Sequence, residues 1–284
     1  MTGPERVAQI LQAAHQQTQQ EWQQVQDAGG VAYLTEGQGV PILFLHGIGG
    51  AARQFAGQLS HFGRTHRAIA WDMPGYGGSA PLPLVSMDAL AAALGGFIAA
   101  LGLDRPILVG HSIGGMIVQR LVAEAPHVAR AIVLAQTSAA FGGKDPAWAD
   151  AFIRARLGPL DEGHTMASLA PAMVAALVGD DPDAAGVALA EDCVAHTPDS
   201  TYRDTVLAMP GFDLRDALPR IGVPTLVLAG TKDPNAPAAA MQRMAARIPG
   251  SSYVALEGVG HLAHLEQPAR FNAALDGFLA GAAL

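Results

Sequence analysis

Apolar residues fall along this chain in two rhythms. Over residues 5–26, Val7, Ile10, Leu11, Ala14, Thr18, Trp22 and Val25 recur at steps of three and four, and glutamine fills most of the other face. That period predicts a helix, ended by Gly29-Gly30. The helix is expected to pack on the main body; the alternative is a dimerisation or partner-binding helix, which makes a homodimer one assembly to look for. From about residue 31 the rhythm changes. Short apolar runs at 41–45, 68–71 and 106–109 each enter a glycine-rich turn, at 46–50, 72–79 and 110–115. Helical stretches follow at 87–101 and 116–124, with further strand-like runs at 131–134, 224–228 and 253–256. Strands alternating with helices predict a mostly parallel sheet covered on both faces.

Between about 138 and 216 the alternation stops. The segment reads as several short helices, broken at Gly158-Pro159, at 179–182 and at 209–211, with no convincing strand. It is expected to be a helical insert between two strands. Trp148, Phe152, Met166 and Met173 then either line a pocket or form only the insert's own core. The expected division is an N-terminal helical extension (1–30), a core (31–137 and 217–284) and a helical cap (138–216).

Composition narrows the classes. Half of the 284 residues are hydrophobic and 15% are charged, which excludes an intrinsically disordered chain; a chain of this length buries a sizeable core without staples. The 33 glycines and 19 prolines fit many tight turns and stay below the share that marks low complexity. The net charge of −8 argues against nucleic acid, which selects clustered Lys and Arg. Cys193 is the only cysteine, so neither an internal disulfide nor a thiolate zinc cluster can form, and no metal is expected. Residues 1–6 show no secretory pattern. The longest apolar stretch, 89–103, is interrupted by Gly95, Gly96 and Gly102 and falls short of the roughly 20 residues of a membrane span. A cytoplasmic protein that binds no membrane is the expectation.

The strongest local signal is Gly110-His111-Ser112-Ile113-Gly114, a G-x-S-x-G run between a strand and a helix. A turn that tight strains the serine backbone and leaves no room for neighbouring side chains, which Gly110, Gly114 and Gly115 supply. It lifts the Ser112 hydroxyl to a helix N-terminus, where free N–H groups favour developing negative charge. A serine needs a base. Of ten histidines, His261 sits in Gly258-Val259-Gly260-His261, directly after a strand and at the sheet edge where Ser112 lies. The base needs an orienting acid, and Asp233, in the loop after strand 224–228, is placed for it. Glu257 and Asp72 are weaker candidates; Asp72 is expected to tie down its own loop, His46 to brace another, and His111 to point away from Ser112 across the elbow. His264 reads as a partly buried structural histidine. The oxyanion hole is expected from the backbone N–H groups of Ile113 and Ile48, with Gly49 the alternative to Ile48. Gly47, Gly49, His111, Trp148, Phe152 and Met173 are expected to meet substrate, and Arg154 and Arg156 are candidates to meet a substrate carboxylate.

These four motifs, His46-Gly47, the 72–79 loop, the Ser112 elbow and the Asp233 and His261 loops, resemble the α/β-hydrolase fold over about residues 31–281. The resemblance implies an α/β architecture, a mostly parallel central sheet flanked by helices, with a helical cap inserted after the sixth strand. The run His261-Leu262-Ala263-His264-Leu265-Glu266-Gln267-Pro268 resembles the 3-oxoadipate enol-lactonase and carboxylesterase branch. Ring-fission C–C hydrolases often carry Trp after the catalytic histidine, where this chain has Leu262, and Asp-nucleophile branches are disfavoured by Ser112. The expected activity is hydrolysis of a small carboxylic ester or lactone through Ser112, His261 and Asp233 and an acyl-enzyme, with no cofactor and a small molecule as the partner. The alternatives are a C–C hydrolase with the same triad, a low-turnover small-molecule receptor, and a cofactor-free oxygenase.

Overall fold

The computed structural model describes residues 26–142 and 146–282. All but the last residue of the helix expected over 5–26 lies outside them. Eight strands form one sheet: β1 (Gln26–Ala28), β2 (Val31–Glu36), β3 (Pro41–Leu45), β4 (Arg67–Trp71), β5 (Ile107–His111), β6 (Ala131–Ala135), β7 (Thr225–Gly230) and β8 (Ser252–Leu256). Their order is β1-β2-β4-β3-β5-β6-β7-β8. The pairs β1–β2 and β2–β4 are antiparallel and the other five are parallel.

The helices are α1 (Ala56–Phe62), α2 (Met87–Ala100), α3 (Ile113–Glu124), α4 (Pro146–Asp161), α5 (Met166–Ala175), α6 (Ala184–Ala195), α7 (Asp199–Ala208), α8 (Ala238–Ala245), α9 (Ala263–Glu266) and α10 (Pro268–Gly281). Every residue of β5, β6 and β7 is buried, as continuous apolar runs in a two-sided parallel sheet must be. Alternate residues feed two cores. Leu43, Ile69, Leu108, Ile132 and Val227 face α2, α3 and α8. Ile42, Phe44, Val109, Val133 and Leu228 face α1 and α10. Among the described residues, no helix is long and apolar enough to cross a membrane.

Residues 26–30 differ from the expected helical extension. Gln26–Ala28 pair with β2 at the sheet edge, and Gly29 (φ 67°) and Gly30 (φ 85°) make the turn of a hairpin. A glycine pair at positive φ serves a helix stop or a two-residue hairpin turn equally well. Here the buried face of Val31, Ala32 and Tyr33 decides for the hairpin. The second difference lies in α4, which continues through Gly158-Pro159 to Asp161 instead of breaking there. The expected break at 179–182 falls between α5 and α6, and that at 209–211 directly follows α7.

Helices α4–α7 lie between β6 and β7 and carry a core of their own, with Leu157, Met166, Val174, Val194 and Val206 packed together with Leu262 and Leu265 of the α9 region. Two backbone seams join this layer to the rest, beside side-chain contacts such as Thr201 Oγ1 donating to Gly75 O (3.0 Å). Phe141 N–H donates to the Phe212 carbonyl (2.7 Å) and Leu214 N–H to that of Ala139 (2.8 Å). Between α5 and α6 the backbones touch: Asp180 N–H donates to Gly258 O (2.8 Å) and His261 N–H to Leu177 O (2.7 Å). A Cβ on Gly179 would land on the Gly258 carbonyl, and one on Gly260 on that of Leu177, so this approach needs glycine on both sides.

Candidate active site

Strand β5 ends where Ser112 turns into α3. Its backbone sits at φ 53°, ψ −122°, a strain of about 1–3 kcal/mol for a residue with a side chain. The surroundings enforce it. Ser112 N–H donates to Ala135 O (3.0 Å) and Thr137 Oγ1 donates to Ser112 O (2.6 Å). A Cβ on Gly110 would stand 2.6 Å from Gly114 O, one on Gly115 2.7 Å from Thr137, and one on Gly114 would collide with Leu45 O. The glycine pattern is therefore a packing requirement around one serine.

His261 Nε2 lies 3.0 Å from Ser112 Oγ, and His261 Nδ1 lies 2.8 Å from Asp233 Oδ2. Asp233 Oδ1 accepts from the N–H groups of Asn235 (2.8 Å) and Ala236 (2.9 Å). Burial alone would raise the Asp233 pKa; the charge of His261 and these hydrogen bonds outweigh it and hold the carboxyl below its ordinary value. With Asp233 ionised, Nδ1 carries the proton and Nε2 faces Ser112 as an acceptor.

The loop carrying His261 hangs on Glu266. This buried carboxylate accepts from Gly260 N–H (2.9 Å) and Leu262 N–H (2.8 Å), on either side of His261, and from Gly179 N–H (2.7 Å). Charge-assisted bonds to backbone N–H groups are the strong kind. From below, His111 Nε2–H donates to the His261 carbonyl (2.7 Å). His111 is packed 5.0 Å from His261 and 4.6 Å from His264, ring centre to ring centre, and His264 stacks on Phe55. Burial and the neighbouring His261 push His111 down to about 3, and burial holds His264 well below the usual histidine value, so the stack is neutral. His46 donates from Nδ1 to Gly47 O (2.8 Å) and accepts at Nε2 from Met73 N–H (2.9 Å). Asp72 accepts from Ala52 N–H (2.7 Å) and Gly78 N–H (3.1 Å). Both brace loops, as the sequence suggested.

Ile113 is the first residue of α3, so its N–H has no acceptor within the helix. Ile48 follows β3 on the facing loop, and Gly47 is so close that a Cβ there would stand 3.0 Å from Ser112 Cβ. The cavity in front of Ser112 holds about 90 Å³. Its walls include Gly47, His111, Phe152 and Met173 among the residues expected to meet substrate, together with Ile48. Two expected members lie elsewhere. Gly49 packs against Val194. Trp148 is 40% exposed and stacks on the outer side of Phe152 (5.4 Å, 3°), also contacting Phe141; it supports the wall without forming it. Met166 is buried in the α4–α7 core. Arg154 is exposed, whereas Arg156 is half-buried in the cavity wall, over the Phe152 ring (5.5 Å) and beside Tyr202.

The sequence reading missed Gln136 and Tyr202, which line the cavity, and the work of Glu266. Gln136 directly follows β6 at the same sheet edge as Ser112, so its position was a usable signal. Glu266 acts through backbone partners 6 and 87 residues away, which no local pattern encodes. Among the described residues, no group of three or more His, Cys, Asp or Glu could hold a metal ion.

Known proteins share this fold. The family described as alpha/beta hydrolase fold matches residues 40–268. The provisionally named carbamate hydrolase RutD of Pseudomonas savastanoi pv. phaseolicola is 30% identical over 247 residues, 84% of this chain and 93% of that protein. The polyketide synthase ThaQ of Burkholderia thailandensis is 29% identical over 253 residues, 87% of this chain but 12% of that far longer protein. The solved enol-lactonase of Burkholderia xenovorans LB400 superposes with a TM-score of 0.78 at 25% identity, covering 90% of this chain and 99% of that one.

Proposed function

The chain belongs to the alpha/beta hydrolase fold family, and from that premise we propose that it is a serine hydrolase of small carboxylic esters or lactones. The observation that carries the reading is the hydrogen-bonded run from Ser112 Oγ through His261 to Asp233, at 3.0 and 2.8 Å. Ser112 Oγ attacks the substrate carbonyl carbon while its proton passes to His261 Nε2. Asp233 keeps the proton on Nδ1 and stabilises the imidazolium. The tetrahedral oxyanion is held by the N–H groups of Ile113 and Ile48. Collapse breaks the bond to the leaving oxygen, which takes the proton from His261, and leaves the acyl group on Ser112. Water then gives a proton to His261 and attacks the acyl carbonyl; collapse breaks the bond to Ser112 Oγ, which takes that proton back from His261 as the acid leaves.

Helices α4–α7 serve as the cap that shapes the pocket. A cavity of about 90 Å³ is small beside the roughly 300–1,000 Å³ of drug-sized sites, which favours a short acyl group. The similarity to an enol-lactonase and to a carbamate hydrolase supports bonds of this kind.

The test is intact and peptide mass spectrometry after a fluorophosphonate. A single adduct on Ser112, absent in Ser112→Ala and strongly slowed in His261→Ala, is expected. In the same variants, kcat on p-nitrophenyl butyrate should fall by about 10⁴ or more. An adduct that persists in Ser112→Ala, or no adduct on the folded wild type, overturns the reading.

A further inference from the structure

Gln136 is buried to 0% exposure, yet neither its Oε1 nor its Nε2 has a hydrogen-bond partner in the structure. Its backbone lies at φ 41°, in the left-handed region that a glutamine adopts only at a cost in free energy. Its N–H is fixed to Leu228 O (2.9 Å), and its chain neighbours grip the elbow: Ala135 O accepts from Ser112 N–H, and Thr137 Oγ1 donates to Ser112 O. Gln136 also forms part of the wall of the cavity in front of Ser112. A buried carboxamide with both groups unpaired lowers stability, since each lost partner leaves a desolvation penalty unanswered. Native structures keep few such groups. Strain, burial and two unanswered polar atoms therefore coincide at one wall of the reaction cavity.

We propose that Gln136 is a substrate-binding residue, and that the hydrolase reading above extends to esters or lactones carrying an amide-type group: Nε2–H donates to the substrate's C=O and Oε1 accepts from its N–H. A carboxamide offers one acceptor and a donor side by side, and a primary amide or primary carbamate, whose syn N–H lies beside its C=O, is the complementary pair; a trans secondary amide points the two apart. A site built to hydrogen-bond such a group rejects analogues that lack it, because its own polar atoms are then left unpaired.

The test uses matched p-nitrophenyl esters of equal chain length, 5-amino-5-oxopentanoate, 5-oxohexanoate and hexanoate. They present donor and acceptor, acceptor only, and neither. A second series places the amide on the alcohol, comparing 3-amino-3-oxopropyl with butyl butyrate. In at least one series the wild type should prefer the amide member by 10-fold or more in kcat/KM, after correction for intrinsic reactivity, with the ketone between. The near-isosteric Gln136→Met should abolish that preference, lowering kcat/KM for the amide member at least tenfold more than for the hexanoate. It should also raise Tm, by about 2–4 °C, because it removes two unpaired buried atoms. No amide preference in either series, or a Gln136→Met variant that loses Tm and slows all substrates alike, overturns the proposal. Loss of labelling in the wild type instead overturns the hydrolase reading on which it rests.

Discussion

Ser112 can hold its strained backbone because each neighbour denies it an alternative. The residue-scale consequences are unequal. Gly114→Ala sets a methyl against the Leu45 carbonyl, a backbone atom that cannot rotate away, so urea denaturation should show a loss of 2 kcal/mol or more. Asp233→Asn keeps the shape but inverts the tautomer logic of His261, so kcat should fall by about 10⁴ with Ser112 still in place; a fall below tenfold would remove Asp233 from the mechanism. Arg156 shows no carboxylate partner among the described residues, and Arg156→Gln should lower kcat/KM about tenfold for esters bearing a carboxylate while leaving neutral esters unchanged. Ser112, Asp233 and His261 were legible in the sequence because each sits in a turn whose chemistry is local: a strand, then glycine or proline. Gln136 and Glu266 were not, because what distinguishes them is the partner each has or lacks across the fold. Trp148 was read as pocket lining from its apolarity alone, and the structure gives the wall to Phe152 and sets Trp148 behind it.

At the scale of elements, α2 carries Gly96 on an exposed face with nothing within 4 Å of an added Cβ. Gly96→Ala should therefore stabilise by about 0.4–1 kcal/mol, read from the denaturation midpoint. The contacts of the α4–α7 layer also differ in kind. Segment 177–183 is joined to 258–266 by backbone hydrogen bonds and by Glu266, whereas α4 meets α7 through side chains such as Arg203 on Asp161 (2.6 Å). Hydrogen exchange should be slowest at Gly179, Asp180, His261 and Leu262 and faster along α4; equal protection would contradict this. The parallel strands were readable as buried apolar runs. The β1–β2 hairpin was not, because Gln26 and Asp27 are exposed edge residues tied to β2 by backbone pairs and by the Tyr33 hydroxyl donating to Gln26 Oε1 (2.6 Å), and composition is blind to those.

At the scale of the molecule, three buried neutral histidines set the response to acid. His46, His111 and His264 are all held below the ordinary histidine value by burial, His111 to about 3. An unfolded histidine titrates near 6.5. Above that pH neither state is protonated and the native advantage is complete. As pH falls, the unfolded chain binds protons that the native state refuses, and stability is lost towards the folded values. Asp233, held below its ordinary value, adds a further loss below about pH 4. Tm should thus fall between pH 7 and pH 5, well before the carboxylates titrate. His264→Phe, which retains the stack on Phe55, should flatten the fall by up to about 1.4 kcal/mol per pH unit. Glu266 carries a consequence of another order. One carboxylate fastens both the loop that holds the base and the segment that seats the helical layer above it. Equilibria that share a fastening are reciprocal. Whatever a bound acyl group contributes to seating that layer also steadies His261, and by the same amount a well-set His261 tightens the grip on the acyl group. Recognition and proton transfer in this protein would then rise and fall together as one cooperative quantity.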